Sequence, residues 1–183
     1  MKISNLRTVT LASIILGAAL TRLLPHPFNF TPIGAIALFG GAHFARKYLA
    51  FLVPLAAMLV SDLMLGFHNS MWAVYLAFIL TVGIGMGLLQ KITLGRVFGS
   101  AILSSVLFFL ITNFAVWYGS AGFYPPTLGG LGACYAAGLQ FYQQDLFGNL
   151  FLNTVMGDLF FSAILFGAYE LVKKKVPAFT VAG

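Results

Sequence analysis

Charge is scarce in this chain. Only 8% of its 183 residues are Asp, Glu, Lys or Arg, against about 25% in a soluble globular protein. So few charges cannot cover a water-facing surface, which excludes a soluble enzyme. A hydrophobic content of 60% equally excludes a disordered chain. Acids are rarest, four against ten basic residues, for a formal net charge of +6. The basic residues are dispersed between apolar runs and form no stripe, so their excess does not point to nucleic acid. The single cysteine, Cys134, excludes an internal disulfide and any cysteine-rich metal site.

Reaction motifs are missing too. The sequence has no G-x-x-x-x-G-K-[ST] phosphate loop, no H-E-x-x-H zinc site and no G-x-S-x-G nucleophile elbow. His26, His43 and His68 are too far apart in sequence to suggest a metal by spacing. Two aspartates within apolar runs, Asp62 and Asp158, raise the chemistry of a carboxylate dyad that shares one proton. However, Val155-Met156-Gly157-Asp158 lacks the first glycine of the G-x-G-D motif of intramembrane aspartyl proteases, and Ser61 precedes Asp62 where those enzymes carry tyrosine. No enzymatic activity and no cofactor are expected.

What the chain does have is apolar runs of membrane length. A helix crossing the hydrocarbon core needs about 20 mostly apolar residues. Six segments qualify, at about 6–24, 28–44, 48–67, 71–89, 97–118 and 149–171. The expected fold is an all-α integral membrane protein, a single domain over residues 1–183 built as a six-helix transmembrane bundle. The first segment is read as a retained span, Gly17-Ala18-Ala19 being only a weak small-residue cleavage site. Lys and Arg favour the cytoplasmic side. Six spans place Lys2, Arg7, Arg46, Lys47, Lys91, Arg96, Lys173, Lys174 and Lys175 on one side, nine of the ten basic residues. This predicts an N-in, C-in topology in a bacterial inner membrane, with only Arg22 outside.

Polar groups within a membrane are costly and default to a functional role. At about 1.5 Å per residue, Asp62 lies about 7 Å, Asn113 about 8 Å and Asp158 about 3 Å to the exterior side of their spans' midpoints. Arg22, Asn29, Thr31, His68 and Asn69 belong to the same outer side. A structural ion pair of Arg22 with Asp62 or Asp158 explains one carboxylate. It leaves the other to solvent, a proton or a ligand. The one long connection, 119–148, is expected to be an outer loop. It carries Tyr135, Gln140 and Tyr142 among many aromatics, a mixture suited to lining a small-molecule site. Trp72 and Trp117 fit an interfacial belt. Small residues four apart, Ser13/Gly17 and Gly83/Gly87, are expected to mark close helix contacts, with the first pair also a candidate docking patch for a membrane partner.

The stretch Arg22–Gly41 resembles the junction between the first two spans of energy-coupling-factor (ECF) transporter S components. Leu52–Gly66 resembles their third span, which often ends in an Asp and a Gly. With Thr112–Trp117 and Gly157–Leu159, the pattern is similar to an uncharacterised branch of that superfamily. The resemblance implies a six-helix membrane protein that binds a vitamin or similar micronutrient from the cell exterior. It also implies a transmembrane coupling subunit and ATPases as partners, besides the small-molecule ligand and membrane lipid. The family's A-x-x-x-A coupling motif has its nearest counterpart here in Ser13-x-x-x-Gly17. Some solitary members bind cobalamin through a cysteine, and Cys134 is the only thiol, but its context Gly132-Ala133-Cys134-Tyr135 does not match theirs. The expected ligand contacts are therefore Arg22, Asn29, Thr31, Asp62, Asn113, Tyr135, Gln140, Tyr142 and Asp158. The rival expectation is a membrane scaffold whose polar core only holds the bundle together.

Overall fold

The computed structural model describes residues 3–67, 69–119, 122–140 and 147–175. His68 and Tyr142 lie outside them. Within the described residues the chain is all helical, with seven α-helices in the order α1 (Ile3–Leu20), α2 (Ile33–His43), α3 (Lys47–Leu65), α4 (Met71–Leu88), α5 (Leu94–Tyr118), α6 (Leu128–Gln140) and α7 (Leu150–Lys175). A 3₁₀ turn over Thr21–Leu23 follows α1. Among the described residues, α3, α4, α5 and α7 are long and apolar enough to cross a membrane. This is the architecture of a membrane protein.

Two sequence expectations need correction. The second apolar segment is not one helix over 28–44. Helix starts only at Ile33, because Pro25, Pro27 and Pro32 force the residues before them away from helical geometry. The connection 119–148 is not simply a loop, since Leu128–Gln140 forms α6. Its four glycines disfavour helix locally. Packing overrides that preference. Gly130, Cys134 and Gly138 recur every fourth residue and share one face: Cys134 and Gly138 lie on α5, and Gly130 lies on the backbone of Pro125 in the approach to α6.

Helix α2 is the centre of the bundle. Its 11 residues are apolar all round, and Ala35 to Gly41 and His43 are all buried, as expected of a helix enclosed by others. It packs against α1, α3, α4, α5 and α7. At about 16 Å it covers only half of a hydrocarbon core about 30 Å thick. At its lower end His43 donates from Nδ1 to Phe39 O at 3.1 Å and is sandwiched among Phe39, Phe166 and Tyr169. Arg7 reaches the same end and donates to His43 O at 3.2 Å.

The tightest packing is where α2 crosses α4. Gly41 faces the backbone of Val82 and Met86, and Gly85 faces the backbone of Leu38, leaving no room for a side chain at either glycine. The pairs expected from spacing do not serve this purpose. Gly83 and Gly87 have open space where a Cβ would stand. They lie on the exposed side of α4, and Gly85 between them makes the contact. Ser13 and Gly17 are likewise exposed on α1 and take no part in packing within the described bundle.

Candidate functional site

The interior start of α2 creates a local problem. The first turn of a helix leaves backbone N–H groups without intrahelical acceptors, and Pro32, the residue before it, offers no side-chain cap. Asp158, on α7, supplies the acceptor from another helix. Its carboxylate accepts from the backbone N–H groups of Gly34 and Ala35 and from the Ser105 hydroxyl of α5 at 2.7 Å. A negative group at a helix N-terminus is also favoured by the helix dipole. Asp158 is 3% exposed. The fit requires glycine at position 34, because a Cβ there would overlap the carboxylate.

Arg22 settles the pairing question in favour of Asp62. Its Nη1 donates to Asp62 Oδ1 at 2.8 Å and to the Ser61 hydroxyl at 2.5 Å. Tyr75 on α4 donates its hydroxyl to Asp62 Oδ2 at 2.9 Å. The ion pair therefore ties the end of α1 to α3, and the phenol ties α3 to α4. The two aspartates are held apart in separate networks, and no hydrogen bond joins them among the described residues. Tyr75→Phe removes one donor to a charged acceptor at a partly exposed site and is expected to cost about 1–2 kcal/mol, read as a lower unfolding midpoint in detergent.

A tight turn carries the chain from the 3₁₀ turn after α1 to the start of α2. Phe30 N–H donates to Pro27 O at 3.0 Å. Asn29 takes a left-handed φ of 62°, a region where Asn is enriched among non-glycine residues. The Asn153 amide on α7 donates to Phe28 O at 2.7 Å. Phe30 then inserts among Phe147, Phe160 and Phe161, with ring centroids 5.5–5.6 Å away. Non-helical backbone at membrane depth is tolerated where it is buried in protein or lines a cavity, and Asn29 and Thr31 do the latter.

Two adjoining cavities open around this turn. The inner one, about 160 Å³, is lined by Arg22, Asn29, Thr31 and Asp158, with Phe78, Phe108, Thr81 and Ser104 completing its wall. Thr81 and Ser104 share a hydrogen bond of 2.9 Å. The outer one, about 240 Å³, is bounded by Asn29, Asn113, Phe109, Tyr124, Cys134 and Phe151 among others. Asn29, Phe108 and Thr154 line both. Arg22, Asn29, Thr31, Asn113 and Asp158 are thus brought together from four separate stretches of chain. Asp62 stands behind Arg22 and lines neither cavity.

Helix α6 closes the outer cavity on one side. Trp117 donates its indole N–H to Pro125 O at 2.9 Å, fastening the approach to α6 onto the end of α5. Tyr135 donates its hydroxyl to Leu110 O at 3.0 Å, so its polar end is engaged with α5 and lines neither cavity. Gln140 is exposed at the end of α6 and also lines neither. The Cys134 thiol donates to Asn113 O at 3.4 Å, and burial pushes its pKa up, which keeps it a neutral thiol. A neutral, engaged thiol is poorly suited to ligate a metal, for which the thiolate is needed.

Several participants escaped the reading by charge and aromatic content. Ser105, Tyr75, Asn153 and the Gly34–Ala35 backbone all hold the polar groups in place. A signal for Ser105 was present, since Ser100, Ser104 and Ser105 interrupt an otherwise apolar, mid-span stretch. The backbone donors carry no side-chain signature at all.

Residues 2–179 match the profile of DUF6580, described as a family of unknown function. Comparison with curated proteins and with solved structures gives no match.

Proposed function

The chain belongs to the DUF6580 family, and we propose that this member is a membrane-embedded binding protein that takes up a vitamin or similar small micronutrient from the cell exterior, in the manner of ECF S components. The observation that carries the reading is the pair of adjoining cavities, with polar groups at the α2 end and aromatic walls toward α6. A few placed polar groups within an apolar lining are the usual make-up of a small-molecule site. Arg22, Asn29, Thr31, Asn113 and Asp158 would contact the ligand directly, while Asp62 would hold Arg22 in position.

In this reading the chain crosses a bacterial inner membrane six times. The crossings are α1, the segment containing α2, α3, α4, α5 and α7, with both termini inside. α6 is a seventh, non-crossing helix that packs back on α5. The clustering of basic residues in the segments assigned to the inner face supports this orientation. The exposed Ser13–Gly17 face of α1 is the surface offered to a transmembrane coupling subunit, which would work with ATPases.

Mass spectrometry of small molecules that accompany the purified protein tests the reading. One retained species is expected, and it should be displaced in Ala137→Phe, which narrows the outer cavity. A protein that stays empty when prepared from cells grown in rich and minimal media favours the scaffold instead.

A further inference from the structure

We propose that the inner cavity takes a small organic cation, with the positive centre seated against Asp158 and an apolar or aromatic body in the outer cavity. The inference rests on the binding-protein reading and adds the charge class of the ligand.

The charge balance of the inner cavity carries it. Two charged side chains line the space, Arg22 and Asp158. Arg22 is matched by Asp62 at 2.8 Å. Asp158 is matched by no cation: the described residues hold two ion pairs, Arg22–Asp62 and Glu170–Lys173, and neither includes it. Its neighbours are dipoles only. α2 contributes the Gly34 and Ala35 N–H groups, and α5 contributes Ser105. Across the cavity α4 presents Thr81 and α5 presents Ser104, both uncharged. The three donors favour an ionised carboxylate and burial opposes it, so a cation seated against Asp158 would be what holds the charge there. With Arg22 and Asp62 neutralising each other, an ionised Asp158 would leave the chamber with one net negative charge. A charge held in a low-dielectric space attracts a cation and repels an anion far more strongly than it would in water.

The surroundings suit such a ligand. Phe78 and Phe108 stand in the inner wall, and the face of an aromatic ring attracts a cation. Phe108 continues into the outer cavity, where Phe109 and Phe151 pack at 5.1 Å and offer an apolar bed. Asn29 and Thr154 lie at the junction, so a single elongated molecule can occupy both spaces.

The test compares three probes of similar shape and different charge: 2-phenylethylammonium, 2-phenylethanol and phenylacetate. Each is measured by equilibrium dialysis against the full-length protein in lipid nanodiscs, with empty nanodiscs as the blank. The ammonium probe is expected to bind about tenfold more tightly than the alcohol, and the carboxylate most weakly. In Asp158→Asn, which keeps an acceptor oxygen for the α2 N–H groups, the ammonium and alcohol should bind alike. Should that variant not fold, the ranking of the three probes on the unaltered protein decides. Equal affinities, or a preference for the alcohol or the carboxylate, overturn the cation assignment. If Ala137→Phe abolishes those equal affinities, only the charge class fails and the cavity remains the site. If no probe binds, or binding is indifferent to both Ala137→Phe and Asp158→Asn, the binding-protein reading fails with it.

Discussion

Asp158→Ala is expected to destabilise the protein by about 2–6 kcal/mol, the cost of leaving two buried N–H groups without acceptors at about 1–3 kcal/mol each. The Gly34 and Ala35 N–H groups have no other partner within reach of their helix, since the intrahelical ladder begins with Ile36 N–H donating to Pro32 O. Asp158→Asn retains a carbonyl oxygen at the same place and should lose appreciably less. Gly34→Ala should resemble the alanine variant at Asp158, because its Cβ would displace the carboxylate from the same donors. Thermal unfolding of the three variants in detergent measures the order directly. An Asp158→Ala protein as stable as the unaltered one would mean that α2 does not depend on this cap.

Gly85→Val is expected to prevent the bundle from assembling, and Gly41→Val likewise. At both positions the added side chain would meet backbone on the partner helix, not a flexible side chain that can move aside. Overpacking commonly costs about 1–3 kcal/mol where side chains can adjust, so a clash with backbone at the central crossing should exceed that range. Gly83→Ala and Gly87→Ala provide the contrast. Their sites are open, and alanine is favoured over glycine in a helix by about 1 kcal/mol. They are expected to be neutral or slightly stabilising. Yield of monodisperse protein on size exclusion, followed by thermal unfolding, separates the two pairs. Equal behaviour of Gly83, Gly85 and Gly87 variants would contradict the α2–α4 crossing.

These two results concern the features that sequence reading handled least well. A spacing of four picked out Gly83 and Gly87 because both lie on one side of α4, but spacing alone does not say which side meets a neighbour. The same rule, applied to Gly130, Cys134 and Gly138, would have revealed α6, which composition had made look like loop. The start of α2 was marked by Pro32, yet nothing in the sequence announced that its N–H groups would be capped by Asp158, 126 residues further on.

The sequence by itself determined the membrane character of the protein, because sparse charge and long apolar runs leave no water-compatible way to fold. It also singled out Arg22, Asn29, Thr31, Asn113 and Asp158, sparse polar residues in apolar surroundings that the fold gathers around two cavities. Only the tertiary structure decided how those residues are used. Arg22 chose Asp62 and not Asp158, and Asp158 became the cap of a half-length central helix. Polarity belongs to single positions and can be read along the chain. Pairing depends on which helix faces lie against each other, and that is set by close packing around α2.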